Sequence, residues 1–351
     1  MSHKQIHFAG GCFWGVEHFF KGVDGVLGTM PGYANGDVSA PSYEQVYTDA
    51  TGHAETVQVL YDPGRVGLGK LVKLFFASID PLALNRQGHD TGTRYRTGVY
   101  YDDIDDLPVL EAEFAAAGRR LGMQPATELL PLRSFWPAEE RHRDYLGKNP
   151  SGYCHLDLKV FKYLRLYQDL ELLLGDESDP VARQAQTAAL LQERMHFFWT
   201  GFYRVAATGE AAADGAADGT VTADSAAADS AADDAAAGTV TASSAADDAA
   251  TTNRADEMLV LGPFQGPPAC FRIARGRGVC GTAWERARTI VVPDVEAFPG
   301  HIACSSLSRS EIVVPILRDG TVTAVLDIDS TTPSAFDEVD ATWLELITDL
   351  L

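Results

Sequence analysis

The sequence predicts two domains of the α+β class, in which helices and strands are mixed along the chain. With 351 residues the chain is long enough for two domains, and 46% of its residues are apolar, enough to supply a core for each. Strand-like alternation and helix-like stripes of apolar residues occur on both sides of a low-complexity segment at 208–256. The patterned regions on either side of this segment therefore indicate mixed domains.

The first region, up to about residue 160, carries both kinds of apolar periodicity. Alternation and short apolar runs predict strands, and stripes with a repeat near 3.6 residues predict helices. The expected strands are at 5–9, 56–61 and 97–101, and the expected helices are at 68–79 and 107–121. Apolar residues at helical spacing also follow Cys12, which predicts that a helix begins there.

The second region opens with helices and continues with short strands. Leucines at helical spacing precede Gly175, and the Asp179-Pro180 pair predicts the cap and first residue of another helix that runs toward residue 198. The expected strands are at 258–261, 290–292, 311–314 and 322–328, and a closing helix is expected at 340–351. This arrangement predicts a second α+β domain.

The segment at 208–256 has a different composition. It contains ten acidic residues against Arg254 and repeats the letters GTVTA at 219–223 and 238–242. It has too little apolar surface to offset the entropy of ordering, so we expect a disordered loop. Its flanks at 198–204 and 259–261 resemble the two strands of one hairpin, which places the loop inside the second domain. A role as an acidic solubility segment stays open.

The net charge and the pattern of cysteines exclude several classes of function. A formal net charge of −21 argues against binding to nucleic acid or to an anionic membrane. No apolar run approaches the length of a membrane span, and the N-terminus lacks a signal-peptide pattern, so we expect a cytoplasmic protein. The chain has five cysteines and no Cys-x-x-Cys pair, which argues against a disulfide framework and a structural zinc site. No metal or cofactor is expected.

The most informative motif is the pentapeptide Gly11-Cys12-Phe13-Trp14-Gly15. The glycines permit a tight turn, and the aromatic residues offer an apolar wall. At the start of a helix, the amide dipoles favour the thiolate of Cys12. The alternative is an unreactive cysteine packed in a core.

Further polar motifs accompany it at 32–36, 52–56, 85–96, 135–140 and 148–155. Together with the pentapeptide, and in this order, they resemble peptide methionine sulfoxide reductase A across roughly residues 5–160.

The resemblance implies roles for these residues. Cys12 attacks the sulfur of a methionine S-sulfoxide, Glu55 protonates the oxygen, and Cys154 resolves the sulfenic acid as a disulfide that thioredoxin reduces. The substrate-binding residues implied are Phe13, Trp14, Tyr33, Asp90 and Tyr95. A carboxylic acid is needed because a sulfoxide oxygen leaves poorly until it is protonated, and an aromatic pocket raises the pKa of such an acid.

A second set of motifs surrounds the remaining cysteines. These motifs lie at 199–203, 261–266, 269–273, 276–283, 298–304, 310–315 and 326–330. With the insertion removed, residues 163–351 resemble the free methionine-R-sulfoxide reductases, which are built on a GAF domain. The resemblance implies that Cys304 is the nucleophile, that Cys270 closes a disulfide to it and that Cys280 is a third redox thiol. Which of Cys280 and Cys304 attacks stays open.

The implied substrate-binding residues of the second set are Trp199, Tyr203, Glu311, Asp327 and Asp329. Asp327 and Asp329 alternate along an apolar strand, so they share one face, and beside Glu311 they suggest a pocket for a cationic amine. One departure from the pattern is Ser305-Ser306-Leu307-Ser308, where many relatives have an acid next to the last cysteine.

Taken together, the resemblances imply an α/β sandwich at 1–160 followed by a GAF-like domain at 161–351 with a central antiparallel sheet and flanking helices. They imply a bifunctional enzyme that reduces the S-sulfoxide in proteins and free methionine and the R-sulfoxide of free methionine, with thioredoxin as reductant. The alternative is that the second domain senses a ligand for the first or relays electrons to it.

Overall fold

A computed structural model describes residues 3–207 and 257–351. The first part of the chain forms one sheet with helices around it. Its elements are β1 (Lys4–Gly10), α1 (Phe13–Lys21), β2 (Val26–Ala34), α2 (Tyr43–Tyr47), β3 (Ala54–Tyr61), α3 (Leu68–Ser78), β4 (Arg86–Gln87), β5 (Asp90–Thr91), β6 (Thr97–Tyr101), α4 (Leu107–Leu121), β7 (Glu128–Pro131), β8 (Phe135–Pro137), α5 (Tyr145–Lys148) and α6 (Leu158–Leu174).

The second part forms another sheet. Its elements are α7 (Pro180–Met195), β9 (Trp199–Ala207), β10 (Glu257–Gln265), β11 (Arg272–Ala274), α8 (Gly278–Arg286), β12 (Ile290–Val292), β13 (Ser310–Arg318), β14 (Thr321–Ser330) and α9 (Glu338–Thr348). The chain is therefore α+β in both halves. Within the two described ranges, no helix is both long enough and apolar enough to cross a bilayer.

The first sheet has the strand order β7-β6-β1-β3-β2-β8 and is antiparallel except for the β6–β7 pair. Tyr33 on β2 pairs with Glu55 on β3, so both side chains emerge on the same face. The central strand β1 ends at Gly10, and Gly11 turns the chain into α1 with a φ of 83°. A side chain at Gly11 would place its Cβ 2.6 Å from Gln87, so this tight turn requires glycine.

The second sheet has the order β11-β10-β9-β14-β13-β12 and is antiparallel throughout. Strands β9 and β10 flank the insertion and pair with each other, beginning with Ala207 opposite Glu257. This pairing confirms the predicted hairpin. The interpretation of 208–256 as a disordered loop falls outside the described residues. Helix α8 packs against β13 and β14 and brings Cys280 over this sheet.

One of the apolar cores contains residues of both halves. Trp343 on α9 is fully buried, and its ring lies 6.1 Å from that of Tyr163 on α6 and 6.4 Å from that of Phe19 on α1. Tyr163 also donates a hydrogen bond of 2.8 Å to Asp340, and Lys159 forms an ion pair of 2.6 Å with the same carboxylate. Helix α6 thus contacts both halves, and the domain boundary near residue 160 stays a prediction.

The predicted elements agree well with the structure. The strands and helices expected from periodicity are present, and the cap at Asp179 is confirmed because its carboxylate accepts the amide hydrogens of Val181 and Ala182. This helix, predicted to run toward residue 198, stops at Met195, because His196 adopts a left-handed conformation with φ of 59°. Strand β2 and helix α8 were not predicted, nor were the short elements α2, β4, β5, β7, β8, α5 and β11.

Candidate active sites

The first candidate site is built at the start of helix α1. Cys12 is the N-cap residue, only 5% exposed, and the following residues turn into the helix as the pentapeptide predicts. Glu55 on β3 is 1% exposed, and one of its carboxyl oxygens accepts the amide hydrogen of Phe13 at 3.0 Å. The helix start therefore holds a thiol and a carboxyl group side by side beneath the surface.

Burial keeps both of these groups protonated. It raises the pKa of Glu55 from 4.5 to about 8, despite the hydrogen bond from the Phe13 amide, which lowers it. Burial also raises the pKa of the Cys12 thiol well above its ordinary value, and the neighbouring Glu55 adds to this. The amide of Trp14 at the helix start lowers the thiol pKa, as expected from the amide dipoles, but burial outweighs this contribution.

An open cavity of about 370 Å³ lies beside Trp14. Its lining residues are Trp14, Tyr43, Glu44, Tyr47, Arg141 and His142. The Trp14 ring is held by stacking on Tyr145 at a centroid distance of 3.8 Å. Phe13 is buried beneath this wall, 5.4 Å from the ring of His142, so of the two predicted pocket residues only Trp14 lines the cavity. The cavity can accept an apolar side chain presented by another molecule.

The remaining residues predicted for this site surround the Cys12–Glu55 pair. Tyr33 donates a hydrogen bond of 2.7 Å to Glu139, whose other oxygen accepts the amide hydrogen of Tyr43. Tyr95 is buried, and the guanidinium of Arg94 lies 4.4 Å from its ring centroid. The phenol of Tyr33 has a single proton, so it can serve a substrate oxygen only by leaving Glu139.

Asp90 and Cys154 approach the same thiol from the other side. A carboxyl oxygen of Asp90 lies within 4.8 Å of the Cys12 sulfur. Cys154 is a half-buried free thiol between α5 and α6, and burial raises its pKa. A side chain at Gly15 would place its Cβ 3.2 Å from the Cys154 sulfur, so the thiol packs directly on the first turn of α1. The structure thus gathers all eight residues predicted for this site around one helix start.

The second candidate site lies between α8 and one face of the second sheet. Glu311 on β13 pairs with Asp329 on β14, and Asp327 lies two residues before Asp329 on the same face. The Cys280 sulfur on α8 lies 4.0 Å from a carboxyl oxygen of Glu311. This sulfur and one carboxyl oxygen each from Glu311 and Asp327 all lie within 4.8 Å of one another. All four side chains line one cavity of about 30 Å³.

Three buried carboxyl groups at one place repel one another when ionised. Burial raises the pKa of Glu311 and of Asp327 well above their ordinary values, and the nearby carboxylate of Asp329 raises both further. Burial raises the pKa of Asp329 to about 6. Burial and the same carboxylates raise the pKa of the Cys280 thiol. Such a site favours a cation, because a positive charge would relieve the repulsion.

Cys304 also lines this cavity, and it forms a disulfide with Cys270. Their Cα atoms are 5.5 Å apart, and Cys304 lies in the loop between β12 and β13. Cys280 remains a free thiol. The disulfide that the resemblance implied is present.

Trp199 and Tyr203 occupy β9 on the same face of the sheet, but they are not among the residues that line the cavity. Both are buried, with ring centroids 6.1 Å apart, and the Trp199 indole donates a hydrogen bond of 3.0 Å to the carbonyl of Pro267. Sequence reasoning missed His301, whose imidazole lies 3.7 Å from Glu311, and Glu139, although both fall inside motifs that were singled out.

Comparison with known proteins places these features in context. A family model described as peptide methionine sulfoxide reductase matches residues 4–169, and one described as GAF domain matches residues 209–351. Two curated proteins named peptide methionine sulfoxide reductase MsrA, from Clostridium acetobutylicum and Lachnoclostridium phytofermentans, are 49% and 47% identical to this chain over 159 residues. These alignments cover 45% of this chain and 98% and 96% of the respective relatives.

A solved structure of free methionine-R-sulfoxide reductase from Neisseria meningitidis, in complex with its substrate, is 39% identical to this chain. The similarity covers 54% of this chain and 84% of that one, with a TM-score of 0.39.

Proposed function

The chain belongs to the peptide methionine sulfoxide reductase family through residues 4–169 and carries a GAF domain at 209–351, and from this we propose that it reduces methionine sulfoxide at two separate sites. The first site acts on the S-sulfoxide, in proteins and in free methionine. The second acts on the R-sulfoxide of free methionine. The observation that carries the first assignment is the buried pair formed by Cys12 and Glu55.

The neutral pair holds both protons that the reaction requires. Glu55 donates its proton to the sulfoxide oxygen while the Cys12 sulfur attacks the substrate sulfur, and the thiol proton returns to Glu55. The oxygen passes to Cys12 as a sulfenic acid, and the substrate leaves as a thioether, so the sulfoxide is reduced by two electrons and the cysteine is oxidised by two. The Trp14 cavity receives the methyl end of the substrate.

Cys154 then restores the site. Its thiol condenses with the Cys12 sulfenic acid, which forms a disulfide and releases water. Packing of Cys154 on the first turn of α1 keeps the two sulfurs in the same neighbourhood. A dithiol reductant of the thioredoxin type then reduces this disulfide and returns both thiols.

The acidic face of the second site supports a free amino acid as substrate. The ammonium group of free methionine sulfoxide is the cation that Glu311, Asp327 and Asp329 would accept, whereas a methionine inside a peptide has no such charge. Of the two candidate nucleophiles, Cys304 is the one already joined to Cys270, which is the product expected after attack and resolution.

The disulfide form of the second site is too small for this substrate. A cavity of about 30 Å³ has room for roughly two waters and no more. The proposal therefore requires that reduction of Cys270–Cys304 frees the loop that carries Cys304 and enlarges the cavity. We expect free methionine R-sulfoxide to bind the reduced protein and not the oxidised one.

The test is an assay of both sulfoxide epimers with parent, Cys12→Ser and Cys304→Ser proteins, each with thioredoxin and with dithiothreitol. We expect Cys12→Ser to lose reduction of the S epimer and to keep reduction of the free R epimer. Cys304→Ser should show the reverse. Each variant serves as the folding control for the other.

Other outcomes contradict parts of the proposal. If Cys12→Ser also loses the R activity, the second domain relays electrons to the first and is no separate site. If the parent protein binds the free R-sulfoxide without reducing it, the second domain is a ligand sensor. Retention of S activity by Cys12→Ser would remove the first assignment.

A further inference from the structure

The first site carries a set of possible metal ligands, of which the proposed reaction uses only the Cys12 sulfur. The Cys12 sulfur, a carboxyl oxygen of Asp90 and an imidazole nitrogen of His155 lie within 4.8 Å of one another. A thiolate, an imidazole and a carboxylate are the ligand types that Zn²⁺ takes in proteins. They belong to three separate elements: the helix start, the strand β5 and the loop before α6.

His155 is oriented as a metal ligand would be. Its Nε2 lies 2.8 Å from the carbonyl oxygen of Gly10, and because a carbonyl only accepts, Nε2 carries the proton. The other ring nitrogen, Nδ1, is therefore the one that can bind a metal. That nitrogen is buried and has no hydrogen-bond partner within residues 3–207 and 257–351. Metal-bound histidines characteristically donate their other N–H to a carbonyl or carboxylate in this way.

Asp90 also has a free ligand atom, and Cys154 lies beside the set. One oxygen of Asp90 is buried and, in the described part of the chain, has no hydrogen-bond partner. Nδ1 of His155 and the sulfur of Cys154 both pack on Gly15, at 3.1 and 3.2 Å from where a Cβ would lie. The absence of a side chain at Gly15 allows both groups to approach the helix start beside Cys12.

We propose that the reduced first site binds a Zn²⁺ ion through Cys12, Asp90 and His155, with Cys154 as the fourth ligand. Each coordinating thiol loses its proton to solvent as its bond to zinc forms, and no electrons are transferred. Tetrahedral zinc places a sulfur and a nitrogen ligand roughly 3.6 Å apart, so atoms now within 4.8 Å must draw together by about 1 Å. Cys154 and His155 lie in a loop, which can make this adjustment.

Bound zinc would inhibit the enzyme, a consequence that rests on the proposed role of Cys12 as nucleophile. The ion occupies the sulfur lone pair that attacks the sulfoxide, and it holds Cys154 away from its role in resolution. A Cys12–Cys154 disulfide removes two of the four ligands, so oxidation would release the metal. The second cluster, formed by Cys280, Glu311 and Asp327, offers one thiol and two carboxylates and is the internal comparison.

The experiment uses the full reduced chain with Zn²⁺ as the only added ion. Affinity is measured by competition with a chromogenic chelator, and alkylation of Cys12 is followed by peptide mass spectrometry with and without zinc. The variants are Asp90→Asn, which keeps the shape of the side chain, and His155→Asn. Cys280→Ser in the second cluster is the matched control, and circular dichroism checks that each variant folds.

We expect zinc to slow alkylation of Cys12, and we expect Asp90→Asn and His155→Asn each to weaken zinc binding at least on the order of 10- to 100-fold. Cys280→Ser should leave protection of Cys12 unchanged. Equal zinc affinity in Asp90→Asn and the parent, or unchanged alkylation of Cys12, would overturn the proposal. Neither measurement depends on turnover, so an inactive first site would refute the proposed function and leave the zinc result standing.

Discussion

The buried carboxyl of Glu55 couples the stability of the protein to pH, and a Glu55→Gln substitution isolates that coupling. Burial raises its pKa from 4.5 to about 8. In the unfolded chain the carboxyl regains its ordinary pKa, so between these two values the folded state holds a proton that the unfolded state has released. The free energy of unfolding therefore falls as pH rises through this window, by about 1.4 kcal/mol per pH unit.

The size of the effect at neutral pH follows directly. At pH 7, about 2.5 units above the ordinary value, Glu55 lowers the free energy of unfolding by about 3 kcal/mol relative to acidic solution. Glutamine has the same shape and no proton to lose, and its oxygen can still accept the Phe13 amide hydrogen. We expect Glu55→Gln to be more stable than the parent by about 3 kcal/mol at pH 7 and equal to it near pH 4.

The same substitution should remove the activity of the first site. Loss of a positioned general acid typically lowers a rate by about 10²- to 10⁴-fold. In the parent protein, reduction of the S epimer should fall as pH rises above about 8, because Glu55 then loses the proton that the sulfoxide oxygen needs. The variant should combine higher stability with lost activity, which a merely structural carboxyl would not do.

Urea unfolding at a series of pH values measures the stability difference, and the S-sulfoxide assay measures the rate. Glu296→Gln is the control, since Glu296 is an exposed carboxyl paired with Arg309 at 2.9 Å on the surface of the other half. A difference in stability between Glu55→Gln and the parent that stays constant from pH 4 to 8 would show that Glu55 is not held protonated by burial.

Three further outcomes are expected. With thioredoxin as reductant, the Cys154→Ser variant should form one equivalent of methionine per chain and then stop. Quenched-flow product analysis measures this yield. Trp343→Ala should lower the free energy of unfolding by about 3–5 kcal/mol in denaturant titrations and should destabilise both halves together, because this ring belongs to α9 of the second half and packs on α1 and α6 of the first. Replacing 208–256 with a two-residue turn between Ala207 and Glu257, which are paired neighbours, should leave the melting temperature and R activity at or above the parent values.

The fold was largely predictable because its elements carry strong periodicity. Helix α3 presents an almost unbroken apolar stripe, and strands such as β3 alternate clearly. Strand β2 was missed because Gly28, Pro31 and Gly32 interrupt its pattern, although close packing against Phe135 requires Gly32. Helix α8 was missed because its short sequence begins in a glycine-rich turn that resembles a loop.

The residues of the candidate sites could be named from motifs, but their protonation states could not. Cys12 at a helix start indicates a lowered thiol pKa when the sequence is considered alone, since helix amides stabilise a thiolate. In the structure the pKa of the Cys12 thiol is raised instead, because Cys12 is only 5% exposed and its desolvation outweighs the effect of one amide. Burial depends on how α1, β3 and the loop at Cys154 pack together, and those contacts join residues far apart in the sequence.

The raised pKa values of the buried groups have a chemical consequence at both sites. A thiol and an acid that are both neutral at rest can exchange protons with a sulfoxide without any charge being left in the low-dielectric interior. The second site has three buried acids, whose raised pKa values favour bound protons at rest, and an entering cation can take the place of those protons. Burial therefore fits the Glu55 site to a neutral sulfoxide side chain, in a protein or in free methionine, and fits the site of Glu311 and Asp327 to the ammonium group of a free amino acid.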